Sequence, residues 1–231
     1  MPARTDNENR LGQLMCQATL DILWPSARTG RPKADLKCRV GSGQATYHRF
    51  DSRRKQHLIT YGVRMIIAKQ SADTALGWLS TREINRLEYF GGEVSPLNLL
   101  AHTCCHEFAH LLQHAAGQRY YGSVHNQSFY TLLDRLYSEG QAEKVRHYLK
   151  NRAREEGLAL SETPFDLPSA EDNARQWQVG DTVSFGEGAR QRRGRIVRVN
   201  RKTCTVDSIE PLKGQRYRVP VQMLRRLKDH G

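Results

Sequence analysis

The sequence predicts an α+β protein in two parts. A helical metal-binding domain with a small sheet covers residues 1–154, a small all-β barrel covers 177–231, and an acidic flexible linker covers 155–176. Three observations carry this reading. A long apolar helix near the middle holds an H-E-x-x-H motif. Short alternating runs crowd the last fifty residues. Net charge also changes sign along the chain, +9 over 1–154, −5 over 155–176 and +8 over 177–231.

Residues 7–24 predict the first helix. Asp6 or Asn7 caps it, Leu11, Leu14, Met15, Ala18 and Ile22 recur at helical spacing, and Pro25 is the expected stop. A basic loop with Arg28, Arg31 and Lys33 follows. Residues 37–69 read as β: a short strand at 37–40, an alternating one at 44–50, and β-rich runs at 57–61 and 64–68 separated by Gly62. The turn at 51–56 holds Arg53, Arg54 and Lys55, the first candidates for a DNA contact. Residues 71–87 predict another helix, with Ala75, Leu76, Leu79 and Ile84 on one side, and 87–94 a short strand or turn.

The motif helix starts at Ser95-Pro96, an N-cap hydroxyl followed by proline at the first helical position, and Gly117 suits its stop. Inside it lies His106-Glu107-Phe108-Ala109-His110. Histidines four residues apart point the same way, about one turn apart. Two neutral imidazoles so placed take two of the tetrahedral positions of Zn²⁺, and Glu107 beside them is free to act as base toward a metal-bound water. Gln113 and Ala116 stand where a metzincin has its glycine and third histidine, which excludes that pattern. Glu139 and Glu143, the glutamates a thermolysin-like site would use, sit among polar residues. His125 is better placed as third ligand: Gly117 and Gly122 let the chain turn back, and 126–129 open a helix behind it. His102 and His114 extend the four-residue series, but each step drifts about 40° around a helix, so they read as polar flank or supporting positions. Cys104 and Cys105 read as small core or supporting residues.

H-E-x-x-H, a loop, then His125 with Phe129 four residues on resembles the SprT-like, Spartan-type zinc metalloproteases over roughly residues 7–152. The resemblance implies a zincin-like domain with one Zn²⁺ per chain on His106, His110 and His125, and Glu107 as catalytic base. It also implies a sheet beside the motif helix whose edge receives an extended substrate, and DNA-associated or DNA-crosslinked proteins as that substrate. Asn126 stands where the family commonly has glycine. Asparagine also tolerates turn geometry, so the ligand is expected to survive the change.

Residues 126–138, with Phe129, Leu132, Leu133 and Leu136, and 141–154, with Val145, Tyr148 and Leu149, predict two more helices parted by Gly140. Periodicity is then lost over 155–176. Strands at 179–185, 194–199, 203–207 and 214–219, with a helical turn at 220–225, predict an SH3-like barrel, a pattern that resembles KOW- or Tudor-like modules. Arg193, Arg195, Arg198, Arg201, Lys202, Arg216 and Arg218 fall at outward positions as a phosphate-facing surface. SprT-like proteins often carry a Cys₄ zinc ribbon after the protease domain; the barrel stands in its place here.

A net charge of +12 on two basic bodies favours a polyanionic partner, single-stranded or duplex DNA. Five scattered cysteines without C-x-x-C predict a reducing compartment. The polar start excludes a signal peptide, and no apolar run reaches the roughly 18 residues a membrane span needs. The expectation is a cytoplasmic, nucleoid-associated zinc endopeptidase without a membrane partner, gated by co-localisation on DNA rather than by a side-chain pocket. Tyr120 and Tyr121 are candidates for a second oxyanion donor. The alternative is a non-proteolytic, zinc-containing nucleic-acid-binding protein of transcription or of a mobile element, in which Glu107 would have no task.

Overall fold

The first helix, Ala3–Ala18, does not stop at Pro25. It widens into a π turn over Thr19–Leu23 and ends in a short helical turn, Trp24–Ser26. Thr19 Oγ1 donates to the Met15 carbonyl at 2.8 Å and shares a 2.7 Å hydrogen bond with the Tyr61 hydroxyl. The widened turn is thus tied into the interior, as such bulges often are. The structure, a computed structural model, describes residues 3–27, 34–120, 124–167, 175–186, 191–201, 203–210 and 214–227. The chain forms two units, Met1–Phe165 and Asp166–Gly231. The expected basic loop at Arg28, Arg31 and Lys33 lies outside the described residues.

In the first unit, β1 (Asp35–Gly41), β2 (Tyr47–Asp51) and β3 (Gln56–Gly62) form a sheet in the order β1-β3-β2. β3 pairs in parallel with β1 and antiparallel with β2, so β2 is an edge. Residues 64–68, expected as strand, are helical instead, within Val63–Ala68. A short apolar run does not distinguish strand from buried helix by period alone. Gly62 lets the chain pass close to the loop before β2: a Cβ there would meet the Gly43 carbonyl oxygen at 2.5 Å, and that carbonyl accepts from the Arg64 N–H at 3.1 Å. The expected helix at 71–87 is two, Ala72–Ala75 and Leu79–Leu87, and a turn at Tyr89–Gly92 follows.

The motif helix runs Pro96–Ala115, with Ser95 Oγ accepting from the Asn98 amide. At its other end the Gly117 N–H reaches the His114 carbonyl and the Gln118 N–H that of Gln113. That is a Schellman ending with glycine, φ +67°, at the left-handed position. Helices Gln127–Ser138 and Gln141–Glu155 pack against it through Phe129, Leu133, Val145 and Leu149, all fully buried. Residues 156–165, expected as linker, belong to this unit. Leu158 is buried, the Ser161 carbonyl accepts from the Leu97 N–H at 3.0 Å, and the Phe165 N–H donates to the Val94 carbonyl at 2.8 Å. The first amides of a helix have no intrahelical acceptor, and Ser161 supplies one.

The second unit is one antiparallel sheet of β4 (Thr182–Phe185), β5 (Arg192–Val199), β6 (Thr203–Glu210), β7 (Arg216–Pro220) and β8 (Arg225–Arg226), ordered β7-β6-β5-β4-β8. It buries Trp177, Val183, Phe185, Ile196, Val206 and Val219. The expected barrel is not closed. β8 is two residues long and pairs with β4 only, and among the described residues no ladder joins it to β7. Among the described residues no helix is long and apolar enough to cross a membrane, and the five cysteines are free.

Candidate metal centre

The motif helix places His106 and His110 on one face, and the loop before the next helix brings His125 to them. His125 Nε2 lies 3.1 Å from His110 Nε2 and 3.1 Å from His106 Nε2. Four tetrahedral ligands at about 2.05 Å from Zn²⁺ would put neighbouring nitrogens about 3.3 Å apart. A proton can bridge one such N···N pair but not three converging nitrogens. The arrangement therefore fits an electron-pair acceptor at its centre.

Tautomers follow from the partners. Glu83 Oε2 accepts from His106 Nδ1 at 2.9 Å and from His102 Nε2 at 2.8 Å, and the Tyr137 hydroxyl donates to His102 Nδ1 at 2.7 Å. With its proton on Nδ1, His106 presents the Nε2 lone pair to the centre. Glu83 and His102 are essentially fully buried. Burial by itself would raise the Glu83 pKa, but the hydrogen bonds from His102 and His106 outweigh it and hold the carboxyl below its usual range. His102 is pushed down to about 4 by burial, which Glu83 only partly opposes. Glu83, His102 and His106 also lie close enough to hold an ion. Their facing atoms are already hydrogen-bonded to one another, whereas the Nε2 atoms of His106, His110 and His125 converge on one another.

Burial, then the neighbouring imidazoles, lower His110 to about 2 and depress His125. Both are held in the neutral, ligating form. Glu107 is 6% exposed, and among the described residues its Oε2 has no hydrogen-bond partner. Burial raises its pKa, opposed by His106, by Lys69, and by the main-chain N–H of His48 on edge strand β2.

His125 is held by its neighbours. Asn126 caps the following helix, its Oδ1 accepting from the Phe129 amide at 3.1 Å and from Gln113 Nε2 at 3.0 Å. Gln113 Nε2 also donates to the Val124 carbonyl at 3.0 Å. The expected turn role of Asn126 is thus replaced by capping, with φ −89°. Phe129 packs against all three histidine rings, with centroids 4.4–4.9 Å away. His114 leaves the centre and packs with Phe50, His48 and His57.

The sequence motif leads to His106, Glu107, His110 and His125 and misses Glu83, Gln113, Tyr137 and Lys69. No local signal separates Glu83 from the other acids. Its place among the buried residues of Leu79–Leu87, beside Ile84, is the one trace. Tyr120 is 63% exposed, and Tyr121 lies outside the described residues.

Arg53, Arg54 and Lys55 form the exposed β2–β3 turn, in which Asp51 Oδ1 accepts from the Arg53 and Arg54 amides. In the second unit, cross-strand register aligns Arg195, Asp207 and Arg216 in one row and Arg198, Thr205 and Arg218 in the next. Both rows lie on the face opposite buried Ile196 and Val206. Arg216 is not a free cation: it pairs bidentately with Asp207 at 2.7 and 2.9 Å. Arg218 Nε donates to Thr203 Oγ1 at 3.1 Å. Arg193 and Arg201 are exposed, and Lys202 lies outside the described residues. Compared with protein-family models, curated proteins and solved structures, the chain matches none.

Proposed function

We propose that the chain is a zinc-dependent endopeptidase of SprT type that acts on DNA-associated proteins. The observation that carries this is three converging imidazole Nε2 atoms beside a buried carboxylate whose Oε2 has no partner among the described residues. Zn²⁺ on His106, His110 and His125 would supply Lewis acidity, polarising a peptide carbonyl and making water acidic near neutral pH. The chain's residues do the rest. Glu83 fixes the His106 ring, and the Gln113–Asn126 link fixes the loop that carries His125. Glu107, its pKa raised by burial, is a base suited to take the proton of the attacking water and return it to the leaving amine. Edge strand β2, whose His48 N–H faces Glu107, offers main-chain partners to an extended substrate. The arginine rows of the second unit supply attraction for phosphate.

Cleavage of a histone by zinc-loaded protein, with and without single-stranded DNA, tests this. Wild type should cleave in a DNA-dependent way, and Glu107→Gln should lose at least 100-fold in rate while retaining one zinc per chain. Unchanged cleavage in the variant would remove Glu107 as the base. Zinc and DNA binding without any cleavage would favour a non-proteolytic nucleic-acid-binding protein.

A further inference from the structure

A cavity of about 180 Å³ opens directly beside the motif, lined among others by Lys69, Trp78, Ser80, Thr103, His106 and Glu107. Whatever fills it lies against the reacting centre. Its wall holds an unusual group, a lysine only 2% exposed. Lys69 Nζ donates to Thr103 Oγ1 and lies 5.4 Å from the centre of the Trp78 ring. Thr103 Oγ1 gives its own proton to the Leu99 carbonyl at 2.6 Å, so it serves Lys69 as an acceptor. An ammonium carries three N–H groups, and this acceptor occupies one. Ser80 lines the same cavity, and among the described residues its buried Oγ has no partner. Burying donors unpaired is unfavourable, and burying a charge more so. Lys69 also feels the carboxylates of Glu107 and Glu83, which partly oppose the effect of its burial, and its N–H groups beyond the one given to Thr103 can serve an oxygen acceptor in the cavity that touches His106 and Glu107.

We infer that this cavity is a substrate side-chain subsite for a residue ending in a carboxylate or carboxamide, glutamate or glutamine, whose oxygen is received by Lys69 and Ser80. The inference rests on the peptidase reading and departs from the expectation of cleavage without a side-chain pocket. Size agrees: about 180 Å³ is about six times the share of one water in the liquid, room for a five-atom side chain. The stem of that side chain would lie along Trp78, Met65 and Leu79. An aliphatic residue would leave the donors dry, and a site built around hydrogen bonds discriminates strongly against partners lacking them. A lysine or arginine would bring further donors, not an acceptor, to Lys69 and Ser80.

The test uses the zinc-loaded full chain with single-stranded DNA present, and peptides that differ only on either side of one scissile bond, carrying Glu, Gln, Met or Lys. At one of the two positions Glu or Gln should exceed Met and Lys at least tenfold in kcat/KM. In Lys69→Met the preference should move to Met by a similar factor. Gln equal to Glu would assign the preference to the acceptor oxygen, and Glu above Gln to charge; either supports the subsite. Equal cleavage of all four peptides by wild type overturns it without needing a variant. So does a preference that survives in both Lys69→Met and Ser80→Ala. If wild type cleaves no peptide and matches Glu107→Gln, the peptidase reading itself fails and the subsite falls with it.

Discussion

Glu83 decides how His106 meets a metal. Its Oε2 accepts hydrogen bonds from both His106 Nδ1–H and His102 Nε2–H, and Tyr137 closes the far end of that chain. Glu83→Ala leaves two buried imidazole N–H groups without an acceptor and frees the ring to turn. Zinc affinity, measured by chelator competition, should fall about 10–100-fold. Glu107→Gln should leave that affinity unchanged, because Glu107 holds no imidazole in place. The same contrast explains what the sequence could reveal at this scale. His106, Glu107 and His110 are legible because one helical turn relates them. Glu83 reaches them from another helix, and Lys69 from the end of a third, so only packing brings them together.

At the scale of elements, the third ligand depends on a cap. Asn126 Oδ1 receives the Phe129 amide, the Gln113 side chain and, at 2.7 Å, the Ser128 hydroxyl. Asn126→Ala should lower stability to urea by about 1 kcal/mol. It should also weaken zinc binding, since the loop holding His125 loses one of its two hydrogen bonds from Gln113 on the motif helix. The motif helix itself is readable from Ser95, Pro96 and Gly117, because capping chemistry is local. Residues 64–68 are not, because a short apolar run fits strand and buried helix alike, and the Gly43 carbonyl that receives the Arg64 N–H is distant in sequence. The second sheet makes a separate prediction. Charge reversal at Arg195 and Arg198 should weaken DNA binding and flatten its dependence on salt, the slope falling by up to about one for each phosphate that is no longer neutralised. Reversal at Arg216 should matter less, since Asp207 already neutralises it. Identical salt slopes in wild type and the double variant would remove this face from DNA binding.

For the whole molecule, buried histidines set the response to acid. Burial chiefly lowers His48 to about 3, His57 to about 4 and His102 to about 4, against 6.5 for a free imidazole. Each folded-state pKa lies below its unfolded value, so below pH 6.5 the unfolded chain binds more protons. Stability is therefore complete above about pH 6.5 and declines toward pH 4, by at most about 1.4 kcal/mol per pH unit for each group. Urea midpoints of the metal-free protein should hold level down to about pH 6.5 and fall steadily from there to pH 4.5; a flat profile over that range would contradict the neutral, buried state of these rings. Fourteen residues lie between His110 and His125. An ion shared by those two side chains would act as a removable crosslink, and closing a loop of that length with a covalent bond is worth about 3 kcal/mol in chain-entropy terms. The loop carries Arg119, which in the folded chain reaches His48 at 3.1 Å. Stripping the ion would loosen this span first, and trypsin should then cut after Arg119. Occupancy and lifetime would become one property: a molecule that lost its ion would expose the point at which other proteases begin to destroy it.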